Sequence, residues 1–80
     1  MIIISGKPQT FKTKIKVLRA EKNITQEKLA EDIGVSRGTI LEIEKGTFNP
    51  SLKLAFRISE YFGKKIDDVF EVNKEEFRDE

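Results

Sequence analysis

Few side chains in this sequence are equipped for catalysis. It contains no Cys and no His, which excludes disulfides, thiolate chemistry, a zinc site of the Cys/His type and a nucleophile activated by imidazole. The adjacent acids Asp67-Asp68 and Glu75-Glu76 could hold Mg²⁺, but neighbouring carboxylates in an acidic tail are far more often solvated charge. We therefore expect a protein that is not an enzyme and needs no cofactor or metal.

The charge of the chain is divided unevenly between two segments. Residues 1–66 carry thirteen Lys or Arg against seven Asp or Glu, a net charge of +6, whereas residues 67–80 carry two against seven, a net charge of −5. A basic body with an acidic tail suits a protein that binds a polyanion with one face. A solvated surface with a disordered acidic end has the same signature, so charge alone leaves both interpretations open.

Length and hydropathy limit the class of protein further. The 80 residues make one small domain without room for a second, ligand-sensing one. No apolar run approaches the roughly 18 residues that span a bilayer, and the opening Met1-Ile2-Ile3-Ile4 is too short for a secretion signal and lacks its basic start. We expect a cytoplasmic protein that does not enter a membrane.

Apolar spacing predicts an all-α fold of five short helices. They are expected at about residues 10–22, 26–33, 37–45, 52–62 and 67–70. Most of these limits come from residues that begin or end helices. The predicted N-caps are Thr25, Ser36 and Ser51, and the predicted C-terminal stops are Gly34, Gly46 and Gly63. The core face of the fourth helix consists of Leu54, Ala55, Ile58, Tyr61 and Phe62. The alternating lysines of the first helix are expected to be spread around its surface and solvated, and they are Lys12, Lys14 and Lys16. Only residues 2–4 and 70–72 have strand character.

The join between the second and third helices is the most informative part of the sequence. Two short helices linked by a three-residue turn that begins with Gly34 are the ingredients of a helix-turn-helix. The helices of that motif cross near a right angle, so the inner residue at the crossing must be small, and Ala30 meets this condition. Val35 fills the inside of the turn, and Ile40 and Ile43 anchor the third helix. Its outward face then holds Arg37, Gly38, Leu41, Glu42 and Lys45.

A longer series of residues falls in register with this turn. It consists of Thr25-Gln26, Leu29-Ala30, Gly34-Val35-Ser36-Arg37, Thr39-Ile40, Ile43-Glu44, Gly46 and Asn49-Pro50-Ser51. This series resembles the phage Cro/repressor-type, or Xre-family, helix-turn-helix regulators, over about residues 12–71. The resemblance implies a five-helix, lambda-repressor-like domain. We expect that domain over residues 10–71, between an N-terminal extension of strand composition at 1–9 and an acidic tail at 72–80.

The resemblance also implies a partner, double-stranded DNA, and a role for each matching position. The third helix would enter the major groove, where every base pair shows a distinct pattern of donors and acceptors. Positions implied to contact bases are Arg37, Gly38, Leu41 and Glu42. Arg37 could hold guanine O6 and N7 or rest on phosphate, and Glu42 could accept from cytosine N4 or pair with Lys45. Positions implied to contact phosphate are Gln26, Thr39, Lys45, Asn49, Ser51 and Lys53.

The resemblance has two further implications. One concerns Gly38, where the sequence departs from the family pattern, and the other concerns the pair Arg19 and Glu44. Family members often carry a long polar residue at the position of Gly38, so the glycine removes a base reader and lowers helix propensity by up to about 1 kcal/mol relative to Ala. It either permits closer approach of the backbone to DNA or relaxes specificity. Arg19 and Glu44 resemble a structural pair that joins the first and third helices beneath the DNA-binding surface.

These residues together predict a sequence-specific regulator of transcription, acting as a repressor and as a homodimer on a palindromic operator. A protein-interaction module, such as the antitoxin partner of a toxin, uses the same fold and stays open as the alternative. Self-association is expected at the chain ends, through Ile2, Ile4, Val69, Phe70 and Val72. Residues 2–4 would pair as a strand beside residues 70–72 of the same or a partner chain, whereas the alternative is a monomer with frayed ends.

Overall fold

The computed structural model describes residues 11–72 of the chain. The elements of this part are, in order, β1 (Phe11–Thr13), α1 (Ile15–Lys22), α2 (Gln26–Ile33), α3 (Arg37–Lys45), α4 (Leu52–Tyr61), α5 (Ile66–Val69) and β2 (Phe70–Val72). Five helices in this part of the chain confirm the predicted helical architecture, to which the structure adds a small sheet. None of the helices between residues 11 and 72 combines the length and hydropathy needed to cross a membrane.

Hydroxyl side chains begin three of the helices where the sequence predicted them. The Thr25 hydroxyl accepts a hydrogen bond from the backbone N–H of Lys28 at 3.0 Å at the start of α2. Ser36 and Ser51 act in the same way at the starts of α3 and α4. Each cap satisfies a backbone donor that has no partner inside its helix. The positions of α2, α3 and α4 along the chain are therefore determined locally.

The first element and the last helix differ from the prediction, whereas β2 occupies residues 70–72, one of the two segments expected to have strand character. The first helix begins at Ile15 and not near residue 10, because Phe11–Thr13 form a strand antiparallel to β2, with Phe11 opposite Val72 and Thr13 opposite Phe70. Phe11 is buried, Lys12 is exposed and Thr13 is half-buried, an alternation with the period of a strand. Lys12 therefore does not lie on a helix surface. The last helix spans Ile66–Val69, one residue earlier than expected, and Phe70 already belongs to β2.

The structure corrects the prediction for self-association at one residue, Val69, and self-association at the chain ends otherwise stays a prediction. Val69 is only 1% exposed and belongs to the hydrophobic core of its own chain, and Phe70 packs on that core with its ring centroid 6.0 Å from that of Phe11. The side chain of Val69 is therefore used inside its own chain, whereas Phe70 is half-buried. Residues 2–4, which we predicted beside β2, lie outside the described residues, as do the side chain of Val72 and the acidic tail from residue 73.

A buried ion pair connects α1 to α3 inside the domain. The guanidinium Nε of Arg19 lies 2.6 Å from the Oε2 atom of Glu44, and its Nη2 lies 3.4 Å from Oε1. The Nη1 group donates to the carbonyl oxygen of Ile24 at 3.0 Å, which adds the loop between α1 and α2 to the same contact. Only 14% of the Arg19 side chain and 8% of the Glu44 side chain are exposed. The structure thus brings together the two residues that the sequence analysis paired.

A second polar contact joins α2 to α4 on the outer surface. The Tyr61 hydroxyl donates to the Oδ2 atom of Asp32 at 2.6 Å, and the ammonium group of Lys28 lies 3.3 Å from Oδ1. The hydrogen bond from Tyr61 holds the pKa of Asp32 below its usual 3.8, and the carboxylate acceptor raises the pKa of Tyr61 above its usual 10.0. Both shifts favour the hydrogen-bonded state, with Asp32 ionised and Tyr61 neutral, at pH values between these limits.

We predict that Glu44→Ala lowers the free energy of unfolding by about 3 kcal/mol, because it leaves the guanidinium of Arg19 buried without its carboxylate. Urea titration monitored by circular dichroism measures this loss. Glu31→Ala, which removes an exposed carboxylate from α2, is the matched control and is expected to change stability by less than about 0.5 kcal/mol. Equal stability of the two variants would contradict a structural role for the pair.

Candidate nucleic-acid interface

The turn between α2 and α3 depends on the backbone conformation of Gly34. This residue has φ = +93°, which is strained for any residue with a Cβ atom. In this conformation the N–H groups of Gly34 and Val35 both donate to the carbonyl oxygen of Ala30, at 2.8 and 3.0 Å. Ala30 itself is buried. The three-residue turn with a small residue on the inner face of α2 therefore has the form that the sequence predicted.

Helix α3 has one face in the core and one face in solvent. Ile40 and Ile43 are completely buried and fix the helix to the domain. Among the predicted base-contacting residues, Arg37, Gly38 and Glu42 are exposed and Leu41 is half-buried. Lys45 is also exposed, and Thr39 is half-buried with its hydroxyl 2.9 Å from that of Ser36. The exposed side chains begin in the first turn of α3, which is the part of the helix that follows the turn directly.

Arg37 forms an ion pair that the sequence analysis did not find. Its Nε atom lies 3.4 Å from the Oε2 atom of Glu27, in the first turn of α2, and both side chains are largely exposed. Exposed ion pairs of this kind contribute about 0–1 kcal/mol. Arg37 can therefore exchange the carboxylate for another anion at little cost. The contact also shows that the first turns of α2 and α3 lie side by side.

The Glu42 carboxylate has a partner other than the one considered from the sequence. The Thr47 hydroxyl donates to Glu42 Oε1 at 2.6 Å, and the backbone N–H of Thr47 donates to the carbonyl oxygen of Glu42 at 3.1 Å. The alternative in which Glu42 pairs with Lys45 is not what the structure shows. Glu42 is instead connected to the segment that follows α3, and the acceptor at Oε1 is already used by a hydroxyl donor.

Gln26 is held at the start of α2 by the buried ion pair. Its side-chain amide donates to Glu44 Oε1 at 3.0 Å, the same oxygen that Arg19 Nη2 approaches. One N–H of the amide is thereby used inside the protein, while the other N–H and the carbonyl oxygen can still bond elsewhere. The half-buried Gln26 side chain thus has a fixed position beside the N-terminus of a helix, where backbone N–H groups and the helix dipole favour an anion.

A second group of candidate phosphate contacts follows α3. Asn49, Ser51 and Lys53 are all exposed. The Ser51 hydroxyl accepts from the N–H of Leu54 at 3.0 Å as the N-cap of α4, which leaves its own hydrogen available to an acceptor. Side-chain contacts connect Gln26, Glu27 and Arg37 across α2 and α3. Asn49, Ser51 and Lys53 instead belong to a separate segment, whose position α4 determines.

A helix that is buried on one face, presents its first turn to solvent and follows a short helix after a three-residue turn is the form of a DNA-binding helix-turn-helix. The helix-turn-helix family model matches residues 15–69. The chain belongs to this family of DNA-binding regulators of the Xre type. The resemblance found in the sequence is thereby confirmed.

Individual relatives agree with this assignment. An uncharacterized HTH-type transcriptional regulator of Methanocaldococcus jannaschii is 58% identical over 60 residues, which are 75% of this chain and 91% of that protein. The cryptic phage CTXphi transcriptional repressor RstR of Vibrio cholerae is 37% identical over 59 residues, 74% of this chain and 53% of the repressor. The solved structure of the clp gene regulator ClgR from Corynebacterium glutamicum matches with a TM-score of 0.61 at 31% identity, over 68% of this chain and 57% of that chain.

We predict that Gly38→Ala raises the free energy of unfolding by about 0.5–1 kcal/mol, because Gly is the weaker helix former. The nearest atom to the new methyl group would be the Ser36 hydroxyl oxygen at 3.8 Å, an ordinary contact, so the fold does not require glycine there. Gly34→Ala is the matched control and is expected to destabilise, because the backbone at Gly34 has a positive φ. Thermal unfolding of both variants tests this contrast, and a destabilised Gly38→Ala protein would contradict it.

Proposed function

We propose that the protein is a sequence-specific, double-stranded-DNA-binding regulator of transcription that represses as a homodimer on a palindromic operator. The observation that carries the proposal is the first turn of α3, where Arg37 is exposed and forms an exchangeable ion pair with Glu27. The helix behind it is anchored by completely buried isoleucines and by the Arg19–Glu44 pair. A hydrogen-bonding side chain on a firmly anchored helix suits direct reading of base edges.

Each remaining position has a role in this proposal. Arg37 donates to guanine O6 and N7 in the major groove, with Gly38, Leu41 and Glu42 as the other base contacts. Thr47 occupies Glu42 Oε1, and the second carboxylate oxygen, Oε2, can accept from a cytosine amino group. Phosphate contacts come from Gln26, Thr39, Lys45, Asn49, Ser51 and Lys53. The repressor role is supported by the similarity to RstR, a phage repressor.

Selection of binding sites from random duplex DNA, followed by titration over a range of salt concentrations, tests the proposal. A dimer that neutralises about six to ten phosphates is expected to bind with a slope of log affinity against log salt of roughly −5 to −9. The selected sequences are expected to show two inverted half-sites centred about one helical turn apart. No duplex binding at low salt, or a slope near zero, would contradict the proposal.

We predict that Arg37→Ala and Gln26→Ala weaken binding in different ways. Arg37→Ala is expected to cost about 1–3 kcal/mol on the best site and to relax preference at one base pair, because it removes a base contact. Gln26→Ala is expected to weaken all sequences about equally, because it removes a phosphate contact. Competition between the selected site and single-base variants measures both effects. Lys64→Ala, which removes one exposed positive charge after α4, is the control for net charge. A uniform loss in Arg37→Ala would make Arg37 a phosphate contact.

A further inference from the structure

Leu41 is the only apolar side chain on the outward face of α3, whose other members are Arg37, Gly38, Glu42 and Lys45. It is half-buried, but within residues 11–72 it is not one of the half-buried apolar side chains that pack against the core. Those side chains are Ile24, Val35, Leu54, Tyr61 and Phe70. A leucine side chain neither donates nor accepts hydrogen bonds. Leu41 therefore adds apolar surface to a helix face whose other side chains are charged.

Gly38 leaves open space beside Leu41. The two residues lie three positions apart and are neighbours on one face of α3. Apart from the adjoining residues and the helix backbone, a Cβ atom at Gly38 would have only the Ser36 hydroxyl oxygen within 4 Å, at 3.8 Å. No side-chain atom of Leu41 comes within that distance, so the leucine borders the space above Gly38 without filling it. These two residues form a shallow space with an apolar wall, the Gly38–Leu41 recess.

The folding of the domain does not explain a glycine at this position. Gly is the weakest helix former after Pro, and a Cβ atom at Gly38 would make only an ordinary contact. Gly38 is also not among the glycines with a positive φ in the described part of the chain, which are Gly34, Gly46 and Gly63. A binding partner that needs the space accounts for the missing side chain better than the fold does.

The edges of the base pairs limit what can enter this recess. In the major groove they present hydrogen-bond donors and acceptors and one apolar group, the C5-methyl group of thymine. We propose that the Gly38–Leu41 recess reads a thymine, whose methyl group lies above Gly38 and packs against Leu41. The inference rests on the proposed function, because it requires α3 to lie in the major groove. It selects closer approach to DNA, and not relaxed specificity, as the role of Gly38.

The place of the recess on α3 locates the thymine in the site. Gly38 and Leu41 follow Arg37 by one and four residues, which is about 1.5 to 6 Å along a helix that rises about 1.5 Å per residue. Successive bases are about 3.4 Å apart along the duplex. The thymine is therefore expected within about two base pairs of the G·C pair that Arg37 contacts. A selected site without thymine in this range would overturn the proposal.

Replacement of thymine by uracil tests the inference, because uracil keeps the hydrogen-bonding groups and lacks only the methyl group. Each thymine of the selected duplex is replaced in turn. The measured quantity is the T/U ratio, the affinity for the thymine duplex divided by that for the uracil duplex. At the expected position the ratio is about four, since burial of one CH₂-sized group contributes about 0.8 kcal/mol. Absence of binding to the selected duplex would contradict the proposed function, whereas binding with a ratio of about one at every thymine would contradict only this inference.

Two variants test whether the recess makes the methyl contact. Leu41→Ala removes its apolar wall and Gly38→Gln fills its space, so each is expected to lower the T/U ratio from about four toward one. Leu52→Ala is the matched control, because this leucine of α4 is 70% exposed and has no proposed contact with DNA, and it is expected to keep the wild-type ratio. The T/U ratio compares two duplexes with one protein and so cancels a general loss of affinity or stability. An unchanged ratio in Leu41→Ala would assign the preference to the shape of the DNA and overturn the proposal.

Discussion

The contact between the guanidinium of Arg19 and the carboxylate of Glu44 sets the position of the α2 and α3 parts of the candidate interface. The carboxylate lies at the end of α3, the guanidinium comes from α1, and the carbonyl of Ile24 and the amide of Gln26 complete the network. Because the pair is largely shielded from water, removal of either partner leaves the other as a poorly compensated charge. The angle of α3 against the rest of the domain is therefore specified by electrostatics as well as by apolar packing.

This arrangement divides the polar residues of the domain into fixed and exchangeable groups. Gln26 shares an oxygen of the buried pair and has little freedom, whereas Arg37 is held by Glu27 on the surface. A fixed residue suits a contact with phosphate, which occurs at every step of the duplex and needs no adjustment. A residue such as Arg37, which can exchange its surface ion pair for another partner, suits a contact that forms with one base pair and not with others. In the proposed complex with DNA, the negative charge of Glu27 would give Arg37 a competing partner at sites that lack the matching base.

The sequence predicted the parts of the fold that are specified locally and missed those that depend on distant residues. Thr25, Ser36 and Ser51 are caps, and Gly34 has a positive φ, so each determines the backbone within a few residues. The strand Phe11–Thr13 exists only through its pairing with Phe70–Val72, about sixty residues later, and three residues are too few for a period to be recognised. In the candidate site, Arg37 and Gln26 followed from the family pattern. Their neighbours Glu27 and Thr47 were not predicted as partners of Arg37 and Glu42. An ion pair between two helices, or a hydrogen bond to a loop, leaves no regular spacing in the sequence by which it can be recognised.

The antiparallel pairing of Phe11 with Val72 brings the beginning and the end of the described domain to one place. The two ends of the described part, residues 11 and 72, therefore lie on neighbouring strands of one small sheet. A domain whose two ends lie close together tolerates fusion of another protein segment at one end, or insertion into a loop of a host protein, without a change in the arrangement of its helices. Short linkers between the original ends would likewise permit circular permutation. The three-residue strands thus make the recognition unit transferable between protein architectures.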